Sequence, residues 1–321
     1  MYEAIKKFNE QFSYQPEINN IENLKRGNGF VVVGMGGSAL APILVQIFKP
    51  EIDLLIHKDY GLPVKPIEVL KNKLIILSSY SGNTEETIEA FNQAKEKNLN
   101  MAVIAVGGKL LSLAVENSIP YIKLPDTGIQ PRSALGYSIK AFMKFMNLED
   151  GLGDISKLKE ELKPDIYEEI GKDLANDLKN YIPIIYTSNK NSAIGYNWKI
   201  KLNETGKIPS FCNVLPELNH NEMTSFDPND KSYLLSKNFY FILIKDEKDN
   251  PKVINRMEVL EKLYKDRNFK VRVLDIKGEN IWLKIFSSLL IADFCAYYIA
   301  DIYGLESEKV PMVEEFKKLI T

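Results

Sequence analysis

Short runs of consecutive apolar residues, rich in Val and Ile, alternate along most of the chain with segments whose apolar positions recur every three or four residues. A strand that is apolar on both faces is buried on both, so this alternation predicts parallel sheets covered by helices. The first set of such runs falls at 30–33, 53–56, 74–77, 102–106 and 121–124. Five strands make one doubly wound unit. A second set falls at 182–186, 240–244 and 271–274 and ends in an apolar helical segment at 281–303. Lys284, Asp293 and Asp301 interrupt that segment, which is better read as a core helix than as a membrane span. Between the sets lies the polar stretch Asp150-Gly151-Leu152-Gly153-Asp154, followed by a pattern rich in Lys and Glu. We place the boundary there, giving domains 1–150 and 151–321, and read the halves as a weak internal duplication of one α/β fold.

The length of 321 residues agrees with two cores, because single domains usually hold about 100–200 residues. The 41 basic residues nearly balance the 43 acidic ones, without a long cationic run, which argues against a nucleic-acid partner. Only Cys212 and Cys295 occur, and no apolar leader opens the chain. A reduced, cytoplasmic protein is expected, with neither a disulfide framework nor a structural zinc site.

The segment Ser78-Ser79-Tyr80-Ser81-Gly82-Asn83-Thr84-Glu85-Glu86-Thr87 follows a predicted strand and opens a predicted helix. Hydroxyls at Ser79, Ser81, Thr84 and Thr87 gather there beside a glycine and the unpaired N–H groups of a helix start. That combination suits an anion. The loop contains no lysine, so a single phosphomonoester fits better than a nucleotide triphosphate. Asn83 and Glu86 also read as a helix-capping pair.

The turn Gly34-Met35-Gly36-Gly37-Ser38-Ala39 leaves the first predicted strand, at the sheet edge where open parallel sheets bind ligands. Gly36, Gly37 and Ser38 would let backbone approach a substrate. The turn also matches the dinucleotide pattern G-x-G-x-x-A, with Asp59 as the accompanying acid, so a nicotinamide-dependent oxidoreductase is a rival reading. A second hydroxyl-rich loop after the third strand is not something that fold requires.

The glycine turn, the 79–87 loop and the two-lobed organisation resemble the sugar isomerase (SIS) domain. Three further segments are similar to motifs of the bifunctional phosphoglucose/phosphomannose isomerases: Pro131-Arg132-Ser133-Ala134-Leu135-Gly136-Tyr137, Asn203-Glu204-Thr205-Gly206-Lys207-Ile208-Pro209, and Glu217-Leu218-Asn219-His220-Asn221-Glu222. The resemblance spans nearly the whole chain, although Thr205-Gly206 and Lys207-Ile208-Pro209 depart from the family's pattern. It implies a doubly wound, flavodoxin-like sheet in each lobe and a cofactor-free, metal-free aldose–ketose isomerase. The implied substrates are glucose 6-phosphate, fructose 6-phosphate and mannose 6-phosphate.

Such chemistry moves a proton between carbons 1 and 2, which requires a carboxylate base and a cation facing the enediolate. Glu204 is the candidate base; a solvated helix glutamate is its ordinary alternative. Arg132 follows Pro131 and therefore sits on extended or turning backbone. The resemblance turns its guanidinium toward the enediolate. Of the two histidines, His57 is read as structural, whereas His220 lies among carboxylates and amides that can orient an imidazole. The resemblance makes His220 the ring-opening acid/base, donated across the interface of a homodimer. It also directs a lysine of an apolar-spaced terminal helix, containing Val310, Val313 and Phe316, at the site. Lys317 and Lys318 compete for that role, and the spacing favours Lys317. A sugar-phosphate sensor without catalysis would need the hydroxyl loop but not Glu204, Arg132 and His220 together.

Overall fold

A computed structural model describes residues 1–228 and 231–320. Those residues form two compact units, Lys7–Glu161 and a second made of Met1–Lys6 with the chain from Leu162 onward.

In the first unit, β1 (Phe30–Val33), β2 (Leu54–His57), β3 (Leu74–Ser78), β4 (Met101–Ala105) and β5 (Tyr121–Lys123) form one parallel sheet. The strand order is β2-β1-β3-β4-β5. It reverses direction between β1 and β3, and Val33 stands level with Leu77, so the turns leaving these two strands emerge side by side. Both faces of β3 and β4 are buried, which explains why these strands are apolar at consecutive positions. Val31, Ile75, Leu77 and Val103 pack with Phe91 and Ala94 of the Glu85–Glu96 helix. Each fully buried aliphatic side chain contributes about 1.5–3 kcal/mol.

In the second unit, β6 (Ile182–Ser188), β7 (Phe211–Leu215), β8 (Phe239–Asp246) and β9 (Lys270–Ile276) run parallel in the order β7-β6-β8-β9. The order again reverses between the first strand of the unit and the third. Phe226, Phe241, Tyr264 and Phe269 form an aromatic cluster on one face. The apolar segment is the Ile281–Ile302 helix, begun by Asn280, whose side-chain oxygen accepts from the Leu283 N–H at 2.8 Å. This helix is the core of its unit, and two of the charges that interrupt it are buried and paired. Lys284 Nζ lies 2.6 Å from Asp246 Oδ1, and Lys201 Nζ lies 2.6 Å from Asp293 Oδ1. Gly171 lets the Asp165–Asp177 helix approach closely, since a β-carbon there would stand 2.5 Å from Phe294 Cβ.

The structure differs from the sequence expectation in three places. The division falls after Glu161 instead of after 150, because Ile155 and Leu158 are buried in the first unit and the Lys140 ammonium donates to Ser156 Oγ. Residues Met1–Lys6 join the second unit, where Tyr2 and Lys6 donate to the Glu168 carboxylate. The strand β7 has no counterpart among the predicted runs. It lies at the sheet edge with Phe211 exposed and carries Cys212 and Asn213, so it lacks the doubly buried apolar pattern of its neighbours.

Candidate active site

Three turns of the first unit converge at the carboxyl ends of β1 and β3. The first is a 3₁₀ turn, Gly36–Ala39, entered through Gly36 with φ +50°. A β-carbon on Gly37 would lie 2.7 Å from Pro131 Cβ and 2.9 Å from the Arg132 nitrogen, so only glycine lets this turn meet the Pro131–Ser133 turn. Ser38 then reaches the third turn: its Oγ accepts from the Tyr80 N–H at 2.9 Å. Ser38 therefore ties two loops together besides lining them. The formal dinucleotide pattern does not open a helix directly, since the α-helix begins only at Leu40. The Asp59 carboxylate accepts from the neighbouring Tyr60 N–H.

Ser79 organises the third turn from inside. Its buried Oγ accepts from Gly82 N–H at 3.0 Å and Thr84 N–H at 3.4 Å and lies 2.8 Å from Thr84 Oγ1. Two N–H groups fill the lone pairs of a serine oxygen, so the Ser79 hydrogen goes to Thr84 Oγ1. The hydrogen of the Thr84 hydroxyl is then left to donate elsewhere. Ser81 is exposed, and its Oγ accepts from Asn83 N–H at 3.3 Å. The Glu85–Glu96 helix starts after Thr84, not after Asn83 as the capping pattern suggests. The Asn83 side-chain oxygen instead accepts from Lys109 N–H at 3.0 Å.

That last bond belongs to a buttress absent from the sequence reading. The Gly107-Gly108 pair leaves β4 beneath the hydroxyl turn, and a β-carbon on Gly82 (φ +73°) would stand 1.8 Å from the Gly107 carbonyl oxygen. Leu110 N–H donates to the Gly82 carbonyl, and Val106 N–H donates to the Tyr80 carbonyl. The legible signal was a Gly-Gly pair directly after a predicted strand.

Arg132 is buried, with Nη1 3.5 Å from Gln130 Oε1. Gln11 staples its turn in place, donating to the Ser133 carbonyl at 2.7 Å and accepting from Gly136 N–H at 2.9 Å.

The other candidates stand on separate elements of the second unit. Glu204 is half-buried and ends the Ser192–Glu204 helix. That helix is fixed to the core by the Lys201–Asp293 pair and by Trp198 Nε1 donating to Ser288 Oγ at 3.0 Å. Lys207 Nζ donates to the Glu204 carbonyl at 2.6 Å and to the Lys309 carbonyl. His220 is exposed at the end of the Glu217–His220 turn. The neighbouring carboxylates have other work: Glu217 accepts from Asn221 Nδ2, and Glu222 accepts from Tyr186 Oη at 2.5 Å and Asn213 Nδ2 at 2.6 Å. Glu222 thereby anchors the His220 segment to β6 and β7. Lys317 and Lys318 lie in the last turn of the Pro311–Ile320 helix, with both side chains exposed. Among the described residues, no group of three or more His, Cys, Asp and Glu side chains could hold a metal ion.

Residues 168–320 match the family described as bacterial phospho-glucose isomerase C-terminal SIS domain. In solved structures, the fold is similar to the C-terminal domain of glucosamine-fructose-6-phosphate aminotransferase from Francisella tularensis. The TM-score is 0.67 at 16% identity, covering 96% of each chain. The bifunctional phosphoglucose/phosphomannose isomerase of Caldicellulosiruptor bescii is 33% identical over 99% of this chain and 98% of its own. That of Aquifex aeolicus is 30% identical over 99% of this chain and 97% of its own. With such identity sustained from end to end, and with the hydroxyl turn and the Pro-Arg-Ser turn built as described, this chain belongs to the bifunctional phosphoglucose/phosphomannose isomerase family.

Proposed function

We propose that this protein interconverts hexose 6-phosphates, taking glucose 6-phosphate and mannose 6-phosphate to and from fructose 6-phosphate through an enediolate. The observation that carries the reading is the lysine-free hydroxyl cradle at the β1/β3 switch point, in a chain 33% identical over nearly its whole length to an enzyme of that name. Ser81 and Thr84 hydroxyls, with the N–H groups at the start of the Glu85–Glu96 helix, hold the phosphate. Gly36, Gly37 and Ser38 line the approach, with Ser38 and Ser79 keeping the loops in shape. Glu204 takes the proton from carbon 2 and returns it at carbon 1. Arg132, buried and permanently charged, stabilises the enediolate oxygens. His220 opens the sugar ring, working in the site of the other subunit of a homodimer. Lys317 is the lysine directed at the site, in preference to Lys318.

Glucose and mannose differ only at carbon 2. Rotation of the enediolate about its carbon 2 to carbon 3 bond lets one base serve both faces. The reading includes a cytoplasmic setting, as the scarcity of cysteine, with only Cys212 and Cys295 in the sequence, leads one to expect. The test is a coupled assay on fructose 6-phosphate and mannose 6-phosphate, with and without EDTA. Both should be converted, and EDTA should change neither rate; failure to convert either substrate removes the proposal.

A further inference from the structure

The second unit repeats the first at its switch point, with one difference. In each unit the first strand ends in a 3₁₀ turn that leads to a helix, and the third strand ends in a loop that leads to another. These pairs are β1 with Gly36–Ala39 and β6 with Asn189–Asn191, then β3 and β8. In the first unit the two turns are joined through Ser38 and Tyr80, and the third-strand turn presents hydroxyls. In the second they close on carboxylates. Asp246, fully buried at the end of β8, accepts from Lys284 Nζ at 2.6 Å, Lys190 Nζ at 3.1 Å, Lys248 N–H at 2.9 Å and Asn191 Nδ2 at 3.3 Å. Asp249 is also buried and accepts from Asn191 Nδ2 at 3.1 Å, with Lys190 Nζ 3.8 Å away. Two ammonium groups, an amide and a backbone N–H thus surround two internal carboxylates at the place where the first unit is built for a phosphate.

We infer that the second switch point is an anion site occupied by the protein's own Asp246 and Asp249, which close it to an external phosphate. The geometry supports this, because Lys190, Lys284, Asn191 and the Lys248 N–H all spend donors on these two side chains. The two carboxyls differ. Burial would push the Asp246 carboxyl up, yet its donors, led by Lys284, hold it down at about 2, whereas burial and the neighbouring Asp246 push the Asp249 carboxyl up, so Asp246 is the principal anion of the site. The inference does not depend on which sugar the first unit binds.

The test removes the internal anion and supplies an external one. In Asp246→Ala/Asp249→Ala, inorganic phosphate should stabilise the protein saturably at equal ionic strength, raising Tm by roughly 3 °C or more at ten times Kd. Because phosphate also stabilises proteins non-specifically, the effect is read against the wild type in the same salts. Adding Lys190→Ala, a half-exposed position, should abolish the excess. An excess that survives Lys190→Ala, or no excess at all, overturns the inference. If the double variant fails to fold in chloride, refolding in phosphate supports the inference and failure in both salts overturns it. The wild type gives a reading that does not need the variant to fold. Phosphate binding to it that is lost on Lys190→Ala would show the site open, and would also overturn the inference.

Discussion

Lys201 and Asp293 meet in the interior of the second unit at 2.6 Å, one turn before Glu204 on the same helix. Both are buried, so the pair fixes the end of the Ser192–Glu204 helix against the Ile281–Ile302 helix. Replacing one partner strands the other charge in the core. Asp293→Ala should cost about 3–5 kcal/mol, read as a lowered urea midpoint. Lys201→Met/Asp293→Leu should regain most of that loss. An unchanged midpoint in Asp293→Ala would mean that the pair does not hold this helix.

Under the proposed function, the cradle separates into donors to substrate and a keystone. Ser81→Ala/Thr84→Ala should weaken phosphosugar binding by about 1.5–3 kcal/mol for each lost charge-assisted bond, and should lower Tm less than Ser79→Ala does, because Ser79 then loses only the acceptor of its hydrogen. Ser79→Ala should instead lower stability and binding together, because Ser79 Oγ holds Gly82 and Thr84 in place. Calorimetric titration with the phosphosugar, paired with thermal melts, distinguishes the two; equal affinities in all variants would remove the cradle.

Glu204→Gln keeps the size of the side chain but cannot accept the carbon 2 proton. Turnover should fall at least about 10²-fold on glucose and mannose phosphates alike, with little change in KM. Retention of either activity would point to a second base.

A histidine shared between subunits has a symmetry signature. His220→Ala and Glu204→Gln chains should each be nearly inactive, and refolding them together should restore roughly a quarter of wild-type activity. About half of the dimers are then mixed, each with one intact site. No recovery above the parents would place His220 in its own subunit's site.

Lys140 supplies a pH dependence whose sign follows from burial. Its ammonium donates to the Phe12 carbonyl at 2.6 Å and to Ser156 Oγ at 2.9 Å, neither of which is charged. Burial lowers its pKa from 10.5 to about 8. Between those values the unfolded chain binds more protons than the folded one, so stability should rise as pH increases from about 8. Urea midpoints at pH 7.5 and 9.5 should therefore differ less in Lys140→Met than in wild type. Equal differences would contradict a neutralising Lys140.

Strand positions were legible wherever both faces are buried, because a doubly buried strand must be apolar at consecutive positions, as in 74–77 and 240–244. The edge strand Phe211–Leu215 escaped because Cys212 and Asn213 break its apolar run, whereas the incompletely buried Lys270–Ile276 strand keeps Val271, Val273 and Leu274 and was legible. Chemistry carried by local sequence was legible too: hydroxyls at 79, 81 and 84 and the Pro131-Arg132 turn lie within single loops. Tertiary structure decided which hydroxyl faces outward. Ser79 spends its hydrogen-bonding capacity on Gly82 and Thr84 because of how the loop closes over Gly107-Gly108, and no spacing rule encodes that closure. It also decided the partners of Lys284, Asp293, Asp246 and Asp249. Charges distant in sequence are stable in a core only when another element brings an opposite charge to hydrogen-bond distance, and that meeting exists only once the helices and sheet have packed.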